Sequence, residues 1–368
     1  MVSPAGLCIF DNMIRQLHPD FKLSGQTFKQ PADLLRFVAK EHPEHFDFLQ
    51  QLFDDNAYII AQTSGSTGIP KKIKIAKKAL QNSAKKTIDF FQLAPQTRAL
   101  LNLSSGFIAG KLMWVRALLG GWHLEVIAPE NKVIKKHLKN RQYDFGAMVP
   151  LQVHHNIEYV SHIQKLIIGG GLVSSGLLQK LIDLPSEIYA TYGMTETLTH
   201  IAVKPLSKVA QNDFYTQKKH QGTYQTLKDV VIDSDARSCL VITAPGITNK
   251  PVITNDLVMI VDNNHFHWLG RYDNIINSGG VKLIPEQIEQ KLMPFFSHDF
   301  FVTGIPDNQL GEKLVLVIEG KPLSKLPDFK TILSRFEVPK EIIYLKNFER
   351  TLSGKVKRQA SLEKIRNL

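Results

Sequence analysis

Short apolar segments that suit buried strands alternate along this chain of 368 residues with segments that suit helices. The strand-like segments include HLEVIAP, FGAMVP, KLIIGGG and EIYATYG, and the stretches between them include SSGLLQKLIDL. Such alternation predicts an α/β domain with a mostly parallel sheet, because helices connect parallel strands. The length suits one large domain or two ordinary domains with a buried core.

A long helix is predicted for AKKALQNSAKKTIDFFQL. Its apolar residues recur four apart at Ala76, Leu80, Ala84 and Ile88, so one stripe is buried and the lysine pairs face solvent. Just upstream, AYIIAQ and KIKI have the pattern of two short strands, and residues 1–55 have a largely helical pattern. The segment that joins the two strands holds the first candidate site.

This joining segment, TSGSTGIPK, is rich in glycine and hydroxyl residues. The backbone N–H groups of such a loop can surround phosphate oxygens, although a solvated linker has a similar composition. A Walker loop is excluded, because it ends in Gly-Lys-Ser/Thr and opens directly onto a helix. Here a strand-like segment follows Lys71.

Two candidate sites follow predicted strands. YATYGMTETLTH, residues 189–200, places an aromatic ring, threonines and a carboxylate where ligands bind at the edge of a parallel sheet. Tyr192 offers a ring face to a flat heterocycle, and Glu196 offers an oxygen ligand to Mg²⁺. IIGGG, residues 167–171, would let a ligand approach the backbone. An ordinary turn after a strand is the alternative for both segments.

Three further motifs lie later in the chain. In TND, residues 254–256, Asp256 could accept hydrogen bonds from two ribose hydroxyls, although such a tripeptide most often forms a turn between strands. GRYDNIINSGGVKLIPEQIE, residues 270–289, combines Arg271 and Asp273 with two glycines and Lys282. TLSGKVKRQ, residues 351–359, contains Lys355, although a lysine in a tail is normally solvated.

In this order and spacing, these motifs together resemble the adenylate-forming superfamily of acyl-CoA synthetases, luciferase-like enzymes and adenylation domains of peptide synthetases. The resemblance covers roughly residues 58–360. It implies a large N-terminal α/β domain with mostly parallel sheets, residues 1–272, which binds nucleotide and acyl group. It also implies a small mobile C-terminal α+β domain, residues 273–368. The sequence changes character near this border.

The resemblance also implies roles for individual residues. Those implied for ATP are Thr63, Ser64, Gly65, Ser66, Thr67, Gly68, Lys71, Gly169, Gly170, Gly171, Tyr192, Gly193, Asp256 and Arg271. The loop from Thr63 would hold the β- and γ-phosphates, Thr195 would lie near the α-phosphate, and Glu196 would bind Mg²⁺. Lys355 would polarise the carboxylate and α-phosphate during adenylation. Thr195, Glu196 and Lys355 are therefore the predicted catalytic residues.

A second step with CoA is implied for the small domain. Asp273 matches the hinge, and Gly279, Gly280 and Lys282 match the segment that meets CoA after the domain rotates. Three features depart from the family pattern. Gln62 replaces a common aromatic residue, Thr-Asn-Asp replaces Thr-Gly-Asp, and about 57 residues precede the first strand, far fewer than in most members. A large part of the N-terminal subdomain is expected to be missing or minimal.

The segment LSSGFIAGKLMWVRALLGGW, residues 103–122, resembles the acyl-pocket region of short bacterial o-succinylbenzoate–CoA ligases of menaquinone synthesis. Lys111 and Arg116 could suit an aromatic acid with a second carboxylate, although a solvated helix flank is the alternative for both. No aspartate lies between Leu101 and Gln142 to bind an α-amino group, which argues against an amino-acid substrate.

Charge and composition exclude several other classes. The net charge of +11 favours anionic ligands, but no nucleic-acid-binding motif accompanies it. Two distant cysteines indicate reduced thiols. No signal peptide or membrane span is recognisable, so a cytoplasmic protein is expected. The adjacent His154 and His155 lack the spacing of a helical zinc pair.

An acyl-CoA ligase is therefore the favoured function, with a small-molecule carboxylic acid, ATP and CoA as substrates and Mg²⁺ as cofactor. A ligase for another aromatic or fatty acid, an enzyme that loads a carrier protein, and an inactive nucleotide-binding module are the alternatives. The oligomeric state stays open.

Overall fold

Strands and helices alternate through most of the chain. The computed structural model describes residues 16–62, 72–215, 217–350 and 356–366. The helices in these ranges are α1 (Pro31–Glu41), α2 (Phe46–Phe53), α3 (Lys77–Phe91), α4 (Ile108–Gly120), α5 (Asn131–Leu138), α6 (Pro150–His155), α7 (Ser175–Leu181), α8 (Lys208–Phe214), α9 (Pro285–Leu292), α10 (Phe329–Ile332) and α11 (Arg358–Arg366).

The strands in the same ranges are β1 (Lys22–Leu23), β2 (Tyr58–Gln62), β3 (Lys72–Ala76), β4 (Arg98–Leu101), β5 (His123–Val126), β6 (Tyr143–Met148), β7 (Ile163–Ile168), β8 (Glu187–Gly193), β9 (His200–Pro205), β10 (Tyr224–Thr226), β11 (Val231–Ser234), β12 (Cys239–Thr243), β13 (Val252–Asp262), β14 (His265–Arg271), β15 (Ile276–Ser278), β16 (Val281–Leu283), β17 (Phe300–Asp307), β18 (Gly311–Glu319) and β19 (Glu341–Leu345). The predicted α/β fold class is confirmed.

The described residues divide into two compact units. Unit 1 comprises the residues up to Gly169 together with Leu181–Val231 and Thr243–Val252. Unit 2 comprises Gly170–Lys180, Ile232–Ile242 and the residues from Ile253 onward. Each unit is thus assembled from separate stretches of the sequence. The domain border between residues 272 and 273 remains a prediction.

Unit 1 contains a sheet with the strand order β1-β5-β4-β6-β7-β8-β9-β10. The pairs from β1 to β8 are parallel, and β8–β9 and β9–β10 are antiparallel. The carboxyl ends of β6, β7 and β8 therefore lie along one edge, at Met148, Ile168 and Gly193. This is the edge at which ligands bind in open α/β sheets.

The helix predicted after the first two strands is present as α3. It follows the antiparallel pair β2–β3, in which Gln62 lies opposite Lys72. Leu80 and Ala84 are buried on α3, as the four-residue spacing predicts. Ala76 is an exception, because it precedes the helix and is exposed.

Helix α4 is buried on all sides within unit 1. Every residue from Gly110 to Leu118 is buried, which is typical of a helix inside a core. Glycine is required at 110 because a Cβ atom there would clash with the carbonyl group of Ser104. The helix ends at Gly120 and is capped by Gly121, whose φ of +66° suits glycine. Burial of one leucine such as Leu112 contributes roughly 1.5–3 kcal/mol.

Unit 2 contains two groups of strands. The strands β14-β13-β12-β11 lie side by side, and β16-β15-β18-β17 form a second sheet to which β19 adds in parallel with β18. Helix α9 packs on the second sheet, because its Ile288 and Leu292 share one core cluster with Val302 and Leu316. The predicted α+β character of the C-terminal residues is thus present.

Candidate active site

Two predicted parts of the site lie outside the described residues. They are the loop from Thr63 to Lys71 and the tail residue Lys355. The described residues include the strand on each side of the loop, since β2 ends at Gln62 and β3 begins at Lys72. The roles of the loop and of the tail lysine stay predictions from sequence.

Gly169 follows β7 at a point where two strand ends lie close together. Its N–H donates to the carbonyl oxygen of Met148 at 3.1 Å. A Cβ atom at 169 would lie 2.5 Å from Oγ1 of Thr191 on β8, so only glycine fits there. Gly170 and Gly171 are exposed, and Gly170 has a φ of +79° that favours glycine.

Tyr192 lies near the carboxyl end of β8 and is half-buried. Its ring contacts the ring of Tyr224 edge to face, with 5.8 Å between the two centroids. Nζ of Lys204 lies 4.9 Å from the centroid of the Tyr224 ring, an attractive cation–π contact. Burial raises the pKa of Tyr224 to about 12 and lowers the pKa of Lys204. These contacts hold the Tyr192 ring in place.

The residues directly after β8 form a tight 3₁₀ turn, Thr195–Thr197. Oγ1 of Thr197 accepts a hydrogen bond from the N–H of Met194 at 3.1 Å, which fixes the turn. Leu198 then has a φ of +63°, which is uncommon for a bulky side chain. Strained backbone of this kind clusters at functional sites. Glu196 at the centre of the turn is exposed.

Three predicted residues form one group, which we call the carboxylate cluster: Asp256, Arg271 and Asp273. Asp256 on β13 lies opposite Arg271 on β14. Nη1 of Arg271 lies 3.4 Å from Oδ1 of Asp256, and its Nη2 lies 3.3 Å from Oδ2 of Asp273. Trp268 Nε1 donates to Oδ1 of Asp256 at 3.2 Å. The Asp256 side chain is only 8% exposed, against 55% for Asp273.

The alternative interpretation of residues 254–256 as a turn between strands is wrong. They lie inside β13, which is 11 residues long. Oγ1 of Thr254 accepts a hydrogen bond from the N–H of Asp256 at 3.0 Å. The strand position explains how Asp256 can be buried and still face Arg271 on the neighbouring strand.

Gly279 and Gly280 form the tight turn between β15 and β16. Ser278 and Val281 pair across the turn, and the glycines have φ angles of +56° and +81°. A two-residue hairpin turn with two positive φ angles strongly favours glycine. Lys282 follows on β16 and is exposed. The predicted CoA segment is thus a hairpin with its lysine in solvent.

Lys111 is buried on α4, with 7% of the residue exposed. Its ammonium group donates to the carbonyl oxygen of Ser105 and lies 5.1 Å from the centroid of the Phe48 ring. Burial lowers the pKa of Lys111. The alternative interpretation as a solvated helix flank is therefore wrong for this residue.

Arg116 is more deeply buried, with 1% of the residue exposed, so the solvated alternative is wrong for it too. Its Nη1 lies 3.6 Å from Sδ of Met113, and Nε and Nη2 have no hydrogen-bond partner among the described residues. Burial lowers the pKa of Arg116 to about 9, so the group is still charged at neutral pH. A buried charge without a counter-ion is costly. The interior near Arg116 therefore favours an anion.

His200 shares this interior with Arg116. Its Nε2 lies 3.3 Å from Oγ1 of Thr87 on α3, and the residue is 5% exposed. Burial, assisted by the charge of Arg116, holds the pKa of His200 well below its usual value. The imidazole is therefore neutral at pH 7 and adds no second charge.

Residues 22–238 match the family of AMP-binding enzymes, and this match covers more than half of the chain. The chain belongs to the AMP-binding enzyme family. Its predicted membership of the adenylate-forming superfamily is thereby confirmed.

This AMP-binding enzyme is similar to the acyl-CoA synthetase (AMP-forming)/AMP-acid ligase II-like protein from Dyadobacter fermentans. The two are 35% identical, with a TM-score of 0.58 over 88% of this chain and 95% of that chain. The enzyme is also 24% identical to 2-succinylbenzoate–CoA ligase from Bacillus cereus (strain Q1), over 86% of this chain and 72% of the relative.

A third relative is one of the proteins that make up linear gramicidin synthase from Brevibacillus parabrevis. The identity is 23% over 83% of this chain, but the chain spans only 4% of that much longer protein. In the described residues, the AMP-binding enzyme has no helix with the length and apolar character that a membrane span requires.

Glu196 of the AMP-binding enzyme is suited to hold Mg²⁺ beside a nucleotide. The carboxylate is exposed, and no ion pair joins it to another described residue. Mg²⁺ usually takes one or two carboxylates together with phosphate oxygens and waters. A single accessible glutamate therefore fits such an ion when ATP supplies the remaining ligands.

Three side chains around the carboxylate cluster were not predicted from the sequence: Trp268, Asn255 and Arg237. The tryptophan three residues before Arg271 could have indicated its contact with Asp256, because the indole N–H of a buried tryptophan usually has a hydrogen-bond acceptor. Arg237 gives no such signal, because only the pairing of strands brings it beside residues that follow it by 17 and 18 positions.

Proposed function

We propose that this AMP-binding enzyme joins a carboxylic acid to CoA in two steps, with ATP as the energy source and acyl-AMP as the intermediate. The observation that carries the proposal is the carboxylate cluster. Asp256 comes from one motif and Arg271 and Asp273 from another, and the Arg271 side chain contacts both carboxylates.

In the first step, a substrate carboxylate oxygen attacks the α-phosphorus of ATP, and the bond from that phosphorus to pyrophosphate breaks. Tyr192 and the three glycines from Gly169 hold the adenine, and Asp256 accepts hydrogen bonds from the ribose. Thr195 and Lys355 stabilise the negative charge that develops at the α-phosphate. Mg²⁺ bound by Glu196 would offset phosphate charge.

In the second step, the CoA thiol loses its proton and its sulfur attacks the acyl carbonyl. The C–S bond forms as the C–O bond to AMP breaks. The small domain turns about Asp273 before this step, so that Gly279, Gly280 and Lys282 meet CoA. The positive φ angles of the two glycines mean that neither position can easily carry a side chain.

We propose o-succinylbenzoate as the acid, which places the enzyme in menaquinone synthesis. The buried cation Arg116 supports an acid that carries a second carboxylate, because two of its nitrogen atoms have no hydrogen-bond partner among the described residues, whereas Lys111 already donates to the carbonyl oxygen of Ser105. The similarity to a 2-succinylbenzoate–CoA ligase also supports this choice.

Two other activities remain as alternatives. A ligase for another aromatic or fatty acid would use the same nucleotide site. An enzyme that loads a carrier protein is favoured by the similarity to linear gramicidin synthase. The absence of aspartate between Leu101 and Gln142 argues against an amino acid as its substrate.

A panel of acids tests the proposal. The full chain is incubated with ATP, Mg²⁺, CoA and either o-succinylbenzoate, benzoate, a fatty acid or an amino acid, and AMP and thioester are quantified. We expect both products with o-succinylbenzoate, at a kcat/KM roughly tenfold or more above that for benzoate. Turnover of benzoate or a fatty acid with o-succinylbenzoate inert would overturn the choice of acid. AMP release without a CoA thioester would overturn the second step.

A further inference from the structure

Arg237 belongs to none of the motifs that define the proposed site, yet it is held beside the carboxylate cluster. It lies in the turn between β11 and β12, where Asp235 fixes it. Nε of Arg237 donates to Oδ2 of Asp235 at 2.9 Å, and Nη2 lies 2.7 Å from the same oxygen. The guanidinium also lies 5.2 Å from the centroid of the Tyr272 ring, directly before the hinge residue. Its position is therefore fixed from two sides.

The guanidinium of Arg237 makes two hydrogen bonds to β13. Nη1 donates to Oδ1 of Asn255 at 2.9 Å, and Nη2 donates to the carbonyl oxygen of Thr254 at 3.0 Å. The first bond decides how the Asn255 amide is oriented. Since its oxygen accepts from Arg237, its nitrogen must point the other way.

The amide nitrogen of Asn255 reaches the hinge. Nδ2 of Asn255 lies 3.1 Å from each carboxylate oxygen of Asp273. Asp273 in turn contacts Arg271, whose other nitrogen contacts Asp256. One connected path therefore leads from Arg237 through Asn255 to both ends of the carboxylate cluster.

A second path leads from Arg237 to Asp256 through the backbone. The carbonyl group of Thr254 accepts from Arg237, and the Thr254 hydroxyl accepts from the N–H of Asp256. Each path ends on a residue assigned to the nucleotide. The backbone of Asp256 is thus held through Thr254, and its side chain is held by Trp268 and Arg271.

Asn255 occupies the position at which the adenylate-forming family pattern, Thr-Gly-Asp, has glycine. A glycine could neither accept from Arg237 nor donate to Asp273. The first path is therefore a property of this sequence and does not follow from the shared motif.

We propose that Arg237 and Asn255 are positioning residues that orient the carboxylate cluster for the ribose of ATP. The inference rests on the proposed function, because it takes Asp256 and Arg271 as nucleotide contacts. A single exposed ion pair contributes little to stability. A network that fixes side chains before the ligand arrives, however, reduces the conformational entropy that is lost on binding. The network therefore acts on nucleotide affinity more than on chemistry.

Three variants of the full chain test this inference: Asn255→Gly, Arg237→Gln and the double variant. The readouts are the Kd for AMP by calorimetry and the KM values for ATP, acid and CoA. We expect each single change to raise the Kd for AMP and the KM for ATP about 3- to 10-fold, within the range of coupled contacts. The KM values for acid and CoA and the value of kcat should change less than about twofold, since the network does not touch the reacting groups.

The double variant tests the connection between the two residues. If Arg237 acts through Asn255, the double variant should bind AMP about as weakly as the weaker single variant, and additive losses would contradict the path. Arg36→Gln is the matched control, because that side chain is 77% exposed on α1 and pairs with Asp33. It should leave every constant unchanged.

Failure of this inference differs from failure of the proposed function. Asp256→Asn should raise the Kd for AMP whether or not Arg237 matters. An effect of Asp256→Asn without any effect of Asn255→Gly and Arg237→Gln would overturn the positioning role alone. No effect of all three would overturn the assignment of the nucleotide contacts. Equal rises in all three KM values with a lower Tm would show a merely structural role and would also overturn the inference.

Discussion

The burial of Arg116 has an energetic consequence at the scale of a single residue. Two of its nitrogen atoms have no hydrogen-bond partner in the described part of the chain, and burial already lowers its pKa to about 9. Replacing buried charged groups by apolar side chains of similar volume is often stabilising. A buried arginine without partners is therefore better explained by a role in binding an anion than by a role in stabilising the fold.

We therefore predict opposite effects of Arg116→Met on stability and on acid binding. Without substrates, the variant should be more stable than the wild type by about 1–4 kcal/mol in urea unfolding, because the desolvated charge is gone. Its KM for o-succinylbenzoate should rise about tenfold or more, since a charged hydrogen bond contributes about 1.5–3 kcal/mol.

Arg98→Met serves as the control, because Arg98 has 56% of its side chain exposed and pairs with Asp144. It should change stability little. A clear loss of stability in Arg116→Met without substrates would show that the guanidinium is already satisfied in the folded protein, and would contradict the prediction.

At the scale of elements, α9 and α11 are joined by a buried charge group. Nη2 of Arg358 on α11 lies 2.7 Å from Oε2 of Glu289, and its Nη1 lies 3.6 Å from Oε1 of Glu286. Oε1 of Glu289 also accepts from the N–H of Val302 at 2.7 Å. Burial raises the pKa of Glu289 to about 7, although Arg358 opposes this shift. The group ties down the helix that follows Lys355 in the sequence.

This shift in the pKa of Glu289 predicts a pH-dependent difference between the wild type and Glu289→Gln. A carboxyl group whose pKa is higher in the folded state contributes stability below its ordinary pKa near 4.5. It loses that stability as pH rises through about 7. Glutamine does not titrate, so the free energy of unfolding of the variant relative to the wild type should rise by up to about 3 kcal/mol between pH 4.5 and pH 8.

Glu337→Gln is a control for which the stability difference from the wild type should change with pH in the opposite direction. Lys291 holds the pKa of Glu337 below its usual range against the effect of burial, so its contribution is lost as pH falls. Urea unfolding of the three proteins from about pH 3 to pH 8 measures both effects, because the contribution of Glu337 is lost below its ordinary pKa of 4.5. A stability difference between Glu289→Gln and the wild type that does not vary with pH would contradict the assignment.

Some elements of the fold could be predicted from the sequence and others could not. The strand pair β2–β3 and α3 were predicted because their patterns are local, with alternation in the strands and four-residue spacing in the helix. Residues 254–256 were not recognised as part of β13, because three polar residues interrupt an apolar strand. Their strand conformation depends on pairing with β14, which lies outside any local window.

The sequence of α4, by contrast, indicates that its two charged residues are buried. Lys111 and Arg116 are five residues apart, which separates them by about 140° around a helix. They cannot share one solvated stripe, and the remaining residues of α4 are mostly apolar. A helix of this pattern is typical of a core, so the pattern itself predicts that both cations are buried.

At the scale of the whole molecule, the order of motifs predicts the fold class and the family, since each motif is tied to an element of one shared architecture. The same reasoning could not predict Arg237, because its partners Thr254 and Asn255 meet it only after β11, β12 and β13 have paired. It also could not divide the chain into its two compact units, which are each built from separate stretches. Contacts between distant segments decide both features.

We propose that acid activation and thioester formation are two steps that need different residues. In this proposal Lys355 separates the two steps, because a cation beside the α-phosphate would serve adenylation, whereas attack by the CoA thiol on acyl-AMP would not use that contact. The most direct measurement compares Lys355→Ala with the wild type in each half-reaction. Adenylation is followed by acid-dependent exchange of pyrophosphate into ATP, and thioester formation is followed from prepared acyl-AMP and CoA.

We predict that exchange falls by at least about 100-fold in Lys355→Ala, which corresponds to the loss of roughly 3 kcal/mol of transition-state stabilisation. Binding of ATP and thioester formation from acyl-AMP should stay close to the wild type. A variant in which both half-reactions fall together, or in which exchange is unchanged, would contradict the account.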